Sequence, residues 1–254
     1  MNIKRILVAQ PKPEKDKSQY WDLERKYNLK FDFYKLFETI PVSASEFRKQ
    51  RVRIPEYSAV IFASKTSVDH FFRICKEMRI LVPESLKYFC ISESSAFYIQ
   101  KYIQYRKRKI FTGSENLKEL IEIVKKHREE KYLLPCSDLV NLDITRLLTT
   151  NKINYSRAII YKNKSLDISH LDIEDYDLLV LFSSSDVLSL FANFPKYKQE
   201  ETLIAAWGNS TIKTAKKYNL KISIEGPKPK ITSMPFAIEQ FILKQDKKDS
   251  IKVK

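Results

Sequence analysis

Glycine is nearly missing, at three residues in a chain of 254. Walker loops and dinucleotide fingerprints each need several glycines close together, so neither phosphate-binding device can be present. No apolar run approaches the roughly 20 residues of a membrane-spanning helix. The apolar stretch within Met1–Gln10 is too short for a secretory signal and lacks a small-residue cleavage site. Cysteine is scarce as well. Cys75, Cys90 and Cys136 are far apart, lack CxxC spacing and read as buried thiols in a reducing cytoplasm. His70, His127 and His170 form no metal-ligand pattern, and His127, in a charged helix, reads as solvated. Acidic residues are in deficit: 31 Asp and Glu against 46 Lys and Arg leave a net charge of +15. Such a balance asks for an anionic partner, which could be nucleic acid, a membrane surface, or a polycarboxylate or phosphate ligand. The densest basic run, Tyr105–Lys109, has no RNP aromatics, GXXG loop or zinc-finger spacing beside it and reads as a solvated loop or edge strand.

What the chain does have is a core-forming composition, 43% hydrophobic and 12% aromatic, and one supersecondary unit written twice. Asp177–Phe194 reads D-L-L-V-L-F-S-S-S-D-V-L-S-L-F-A-N-F. The uninterrupted run Leu178–Phe182 suits a strand buried on both faces, as in a parallel sheet. Serines and an Asp follow, and a helix-period pattern begins at Val187. Ser and Asp favour helix N-caps because their oxygens accept the free N–H groups of the first turn. The predicted result is a strand, a tight turn and a helix N-terminus whose amides and hydroxyls suit anions. Ala59–Phe72, A-V-I-F-A-S-K-T-S-V-D-H-F-F, repeats the pattern with Ser64 at the turn. Each copy leads into another strand and turn, Lys87–Tyr102 with Ser95 and Thr202–Tyr218 with Thr211 near the helix start.

Strands alternating with helices of about ten residues indicate an α/β fold with parallel sheets. Two long extended stretches, Leu29–Thr39 and Ile153–Tyr161, bracket the middle of the chain. The expected organisation is a discontinuous α/β domain of residues 1–36 and 165–245, an inserted α/β domain of 44–155, and linker strands 37–43 and 156–164 forming a β-ladder. Residues 246–254 are expected as a flexible tail. Ligands of open α/β sheets bind at the carboxyl ends of the strands, so the serine turns predict a site in a cleft between the two domains.

The succession V-I-F-A-S-K-T-S-V, A-I-I-Y-K-N-K, V-L-F-S-S-S-D-V and L-I-A-A-W-G-N-S-T-I-K-T-A resembles uroporphyrinogen-III synthase, over nearly the whole chain. The motifs are short, and their specificity lies in their order. The resemblance implies two similar parallel-sheet domains joined by a two-stranded linker, with hydroxymethylbilane, a linear tetrapyrrole with eight carboxylates, as substrate. It implies loss of water, inversion of the last ring and macrocycle closure in haem biosynthesis, without metal or organic cofactor. By the same resemblance Tyr161 is the proton donor. Ser64, Lys65, Thr66, Ser95, Ser183, Ser184, Asn209, Ser210 and Thr211 bind substrate, although each hydroxyl could equally serve only as a helix cap. The implied enzyme is a cytoplasmic monomer, receiving its substrate from hydroxymethylbilane synthase and binding neither nucleic acid nor membrane. Two other readings fit the residues: a non-catalytic tetrapyrrole- or polyanion-binding relative, and a basic nucleic-acid-binding protein.

Three departures from the family pattern matter. Lys65-Thr66 stands where a proline and a basic residue are common, so Lys65 supplies that charge one position early. Ser185-Asp186 replaces Ser-Gly, and an Asp there repels substrate carboxylates unless it is turned away or caps the helix. Ile91-Ser92-Glu93 replaces a glycine-containing turn.

Overall fold

Leu178–Leu181, from the run expected to be a doubly buried strand, is buried at every residue, and so is its upstream counterpart Ala59–Phe62. Each is an inner strand of its own sheet. The computed structural model describes residues 3–14, 18–104, 106–113, 117–139 and 142–252. Chain order within them begins β1 (Arg5–Val8), α1 (Gln19–Tyr27), β2 (Lys30–Phe33), β3 (Phe37–Pro41) and α2 (Ala44–Lys49). It continues β4 (Ala59–Phe62), α3 (Lys65–Glu77), β5 (Lys87–Cys90), α4 (Glu93–Tyr98), β6 (Ile110–Thr112), α5 (Leu117–Lys126), β7 (Tyr132–Ser137), α6 (Leu142–Thr150) and β8 (Tyr155–Ser165). The last elements are β9 (Leu178–Leu181), α7 (Ser184–Asn193), β10 (Leu203–Trp207), α8 (Asn209–Lys217), β11 (Ile222–Gly226) and α9 (Met234–Lys252).

By its contacts the chain falls into two compact units, residues 1–38 with 164–254, and residues 39–163. The five-stranded sheet, wholly within the first unit, runs β11-β10-β9-β1-β2 with every pair parallel. The six-stranded sheet runs β3-β8-β7-β4-β5-β6 and is parallel from β8 to β6. Thr39 bonds Asn163 and Val42 bonds Ile160, so contacts step in opposite directions and β3 is antiparallel to β8. Set side by side, β11-β10-β9-β1-β2 and β6-β5-β4-β7-β8 have the same spatial order, but the first is entered at a different strand. The units are therefore circular permutants: β9, which opens the repeat, is third by sequence among its five equivalent strands, whereas its counterpart β4 is first.

Period-two alternation places each sheet's side chains in two cores. Ile6, Val8, Leu178 and Val180 pack with Tyr20, Leu23 and Ile238 beneath α1 and α9, whereas Leu7, Leu179 and Leu181 pack with Val187, Leu190 and Ala215 beneath α7 and α8. In the other sheet Val60 and Phe62 face Val68, Phe71 and Ala96, and Ala59 and Ile61 face Leu120, Val124 and Leu148. Cys75 and Cys90 lie in these cores, where burial pushes both thiols up to about 12, and Cys136 is half-buried.

Several local expectations are corrected. Leu29–Thr39 is not one extended segment: it breaks between β2 and β3, which join different sheets. The helix expected to start near Ser95 begins at Glu93, with Ser92 as its cap. The expected tail is helical as far as Lys252, because α9 continues past its apolar part, while Val253 and Lys254 lie outside the described residues. His127 is only partly solvated: it is half-buried against Phe111 and Phe89, with ring centroids 4.6 and 5.5 Å away. It also lies beside Glu129 and Glu130 with ligand atoms within 4.8 Å, although Glu130 is already paired with Lys87 at 2.5 Å. Of the basic run, Tyr105 falls outside the described residues, Lys107–Lys109 forms a 3-10 turn leading into β6, and Arg106 pairs with Glu84.

Candidate substrate-binding turns

In a doubly wound sheet the natural crevice lies where successive connections leave in opposite directions. That point is between β4 and β7 in one unit and between β9 and β1 in the other. Ser64 ends β4 and Ser183 ends β9, so the two repeated turns open onto equivalent places, one on each unit.

In the unit of residues 39–163, Ser64 caps α3. Its hydroxyl accepts from the Ser67 amide at 3.1 Å, and the Ser67 hydroxyl accepts from the Ser64 amide at 3.2 Å. This reciprocal box satisfies two donors, leaving the remaining first-turn amides for a ligand. Lys65 is exposed, with its ammonium 5.6 Å from the Tyr98 ring centroid, and Thr66 is half-buried in the first turn. Tyr161 comes to this turn from β8. The pairing of β7 with β8 shifts register between Cys136 and Ser137, which puts Ser137 opposite Tyr161; such irregularities re-aim side chains. The Ser64 side chain lies close enough to the Tyr161 phenol to lower its pKa. Burial raises the phenol above the ordinary tyrosine range and Ser64 opposes that rise, so the group keeps its proton. The stretch therefore brings together Ser64 and Tyr161, which are 97 positions apart in sequence.

Ser95 does not join them at a surface. It is 5% exposed, third in α4, and its side chain accepts from the Ser92 hydroxyl at 3.0 Å. Ser92 holds the capping position, with its own hydroxyl accepting from the Ser95 amide. Three serines within four residues let the pattern be read one turn too late.

In the other unit, Ser183 caps α7 and Asp186 completes the box. The Asp186 carboxylate accepts from the amides of Phe182 and Ser183 at 3.0 and 2.8 Å and from the Ser183 hydroxyl at 3.0 Å. It is 2% exposed, so the acid that departs from the family pattern is turned inward to cap the helix. Burial pushes its carboxyl up to about 6 against those hydrogen bonds. A folded-state value above the unfolded one means that the native state binds the proton more tightly, and stability gained from this group rises as pH falls from about 6 toward 3.8. At about 1.4 kcal/mol per pH unit, the rise amounts to on the order of 3 kcal/mol. Urea denaturation of the protein and of Asp186→Asn across that window is expected to show wild type gaining relative to the variant on acidification; parallel curves would contradict the assignment.

Beside this cap, the Ser184 and Ser210 hydroxyls are 2.7 Å apart and the Thr214 hydroxyl donates to Ser184 at 2.9 Å, joining the first turn of α7 to the first two turns of α8. Asn209 and Ser210 are exposed and Thr211 is 1% exposed, beneath them in the first turn of α8. That helix has a glycine cap: Gly208 stands at φ +89°, a conformation that favours glycine, and its amide donates to the Gly226 carbonyl at 2.6 Å. Thr214 belongs to the hydroxyl group that sequence reading drew from Ser184 and Ser210; its spacing one helical turn after Ser210 was the available signal.

Comparison with known proteins gives one family. The model of "Uroporphyrinogen-III synthase HemD" matches residues 26–235. Among solved structures, a mutant uroporphyrinogen III synthase of the extremely thermophilic bacterium Thermus thermophilus aligns with TM-score 0.66 and 13% identity, over 96% of this chain and 99% of that one. The uroporphyrinogen-III synthetase of Helicobacter pylori aligns with TM-score 0.57 and 15% identity, over 94% and 99%. At these identities the structures show the shared fold. The curated proteins contain no match.

Proposed function

The chain belongs to the uroporphyrinogen-III synthase family, lyases of tetrapyrrole biosynthesis, and we propose that its two capped turns hold the carboxylates of hydroxymethylbilane while Tyr161 protonates the leaving hydroxyl. The single observation that carries the reaction is the family match across residues 26–235. The closeness of Ser64 to the Tyr161 phenol supports the assignment of roles.

The substrate supplies most of the chemistry. Electron density from its terminal pyrrole nitrogen expels the hydroxyl group, the C–O bond breaks, and a proton from the protein lets the oxygen leave as water. The protein has then to keep a flexible chain folded with its reacting ends together, so that inversion of the last ring precedes closure. Substrate carboxylates suit the amides at the N-termini of α3, α7 and α8, the hydroxyls of Ser184 and Ser210, and the Lys65 ammonium, while the Ser183 hydroxyl is held by Asp186. Among these, Ser184 and Ser210 present hydroxyls at the surface, while buried Thr211 shapes the turn they stand on. The net charge of +15 favours the approach of such a substrate.

Among the described residues no helix is long and apolar enough to cross a membrane. The reading places the protein in the cytoplasm as a monomer supplied by hydroxymethylbilane synthase. Purified protein given freshly generated hydroxymethylbilane is expected to yield the type III isomer. Spontaneous type I product alone would reject catalysis and leave the non-catalytic binder. Ser184→Ala combined with Ser210→Ala is expected to raise KM several-fold with kcat little changed, because these groups bind and do not react; an unchanged KM would remove them from the site.

A further inference from the structure

Two side chains that the reaction does not call for converge on Tyr161. The His70 imidazole, on α3, stacks on the Tyr161 ring with centroids 5.0 Å apart and planes 29° from parallel. Arg73, one turn further along α3, donates from Nε to His70 Nδ1 at 3.2 Å. The same guanidinium donates to the carbonyls of Val42 and Ile160, both at 2.9 Å, and to Glu77 at 2.7 Å. Arginine can only donate, so Nδ1 of His70 must carry no proton and the ring is the neutral Nε2–H tautomer. Burial first, and then Arg73, hold His70 below the ordinary imidazole range. The ionisable groups facing this pair are Asp69, Arg73 and Glu77 from α3, and Asp138 and Cys136 from the end of β7.

Ile160 immediately precedes Tyr161, so Arg73 holds the backbone of the tyrosine and, through His70, its ring. We propose that His70 and Arg73 are positioning residues for Tyr161, a platform on α3 that aims its phenol at the Ser64 turn. A hydroxyl at the end of a two-torsion side chain must be held to fractions of an ångström to deliver a proton. The register shift in β8 turns Tyr161 toward the turn, the core of its unit packs against it, and the His70 stack sets the tilt of its ring. Val42 directly follows β3 and Ile160 lies in β8, so the two carbonyl bonds fix α3 to the end of one strand and the middle of the other.

The proposal rests on Tyr161 being the proton donor, and its test separates the two. His70→Ala is expected to lower kcat about tenfold with KM little changed, and His70→Phe, which restores an aromatic face, to recover most of that loss. A parallel readout does not depend on turnover. With 3-fluorotyrosine incorporated, the 19F signal of residue 161 is identified by its disappearance in Tyr161→Phe and titrated in each variant. Its midpoint is expected to fall in His70→Ala, where water reaches the phenol, and to stay near the wild-type position in His70→Phe. A midpoint unmoved in His70→Ala overturns the platform, whatever the turnover. A shifted midpoint with unchanged kcat in His70→Ala, while Tyr161→Phe is slow, also overturns it. Full turnover by Tyr161→Phe removes the donor reading itself, and the platform's catalytic purpose with it. Circular dichroism melting of both His70 variants confirms that the comparison is between folded proteins.

Discussion

Tyr161→Phe is expected to slow formation of the type III isomer by about 10²-fold, in the lower part of the range for one positioned acid, while melting at the wild-type temperature. Phenylalanine keeps the ring and therefore the stack on His70. The change removes one oxygen, which in the wild type lies beside Ser64 and is protonated because burial raises its pKa. The effect should appear in kcat more than in KM, since the proton is given only as the C–O bond breaks. The substrate's own electrons still expel the leaving group in the variant, so activity should be slowed and not abolished. Unchanged kcat would take Tyr161 out of the mechanism and leave Ser64 as a cap alone.

The second large effect is expected from one of the few glycines. A Cβ built on Gly226 would lie 2.3 and 2.4 Å from two atoms of the Trp207 ring. Gly226 is not in a positive-φ conformation, so the backbone accepts alanine and the conflict is one of space. Gly226→Ala is expected to cost about 1–3 kcal/mol in urea denaturation, the range for forcing extra atoms into a packed site. Made in a Trp207→Phe background, the same substitution should cost less. The change should also reach function, because the Gly226 carbonyl receives the amide of Gly208 at the cap of α8, where Ser210 and Thr211 begin their helix. Stability equal to wild type would mean that the indole moves aside freely.

Much of this was legible in the chain. A run of apolar residues followed by serine and a helical period encodes a doubly buried strand and a capped helix, because both requirements are local. Ser64 and Ser183 were found that way, and both cap as expected. The Asp186 departure was also readable as a cap, since an acid three residues after a capping serine has the spacing of a box. Ser95 was misplaced because neighbouring serines compete for one role and only packing decides among them. His70 and Arg73 escaped notice because their partners, Tyr161 and the carbonyls of Val42 and Ile160, come from strands remote in sequence. A histidine on a half-apolar helix face gives no sign of what will stack on it. The permuted strand order was hidden for the same reason: adjacency between β1 and β9 bridges an entire inserted unit.

That permutation also bears on how the polypeptide matures as it leaves the ribosome. Residues 39–163 form a contiguous unit whose sheet can close once β8 has emerged. The earlier-made pair β1 and β2 has no such option: a lone two-stranded ribbon is barely stable in water, and its next neighbour, β9, is translated only after the whole insertion. The first-synthesised strands therefore wait longest for partners, and nascent-chain assembly proceeds from the middle of the gene product outward.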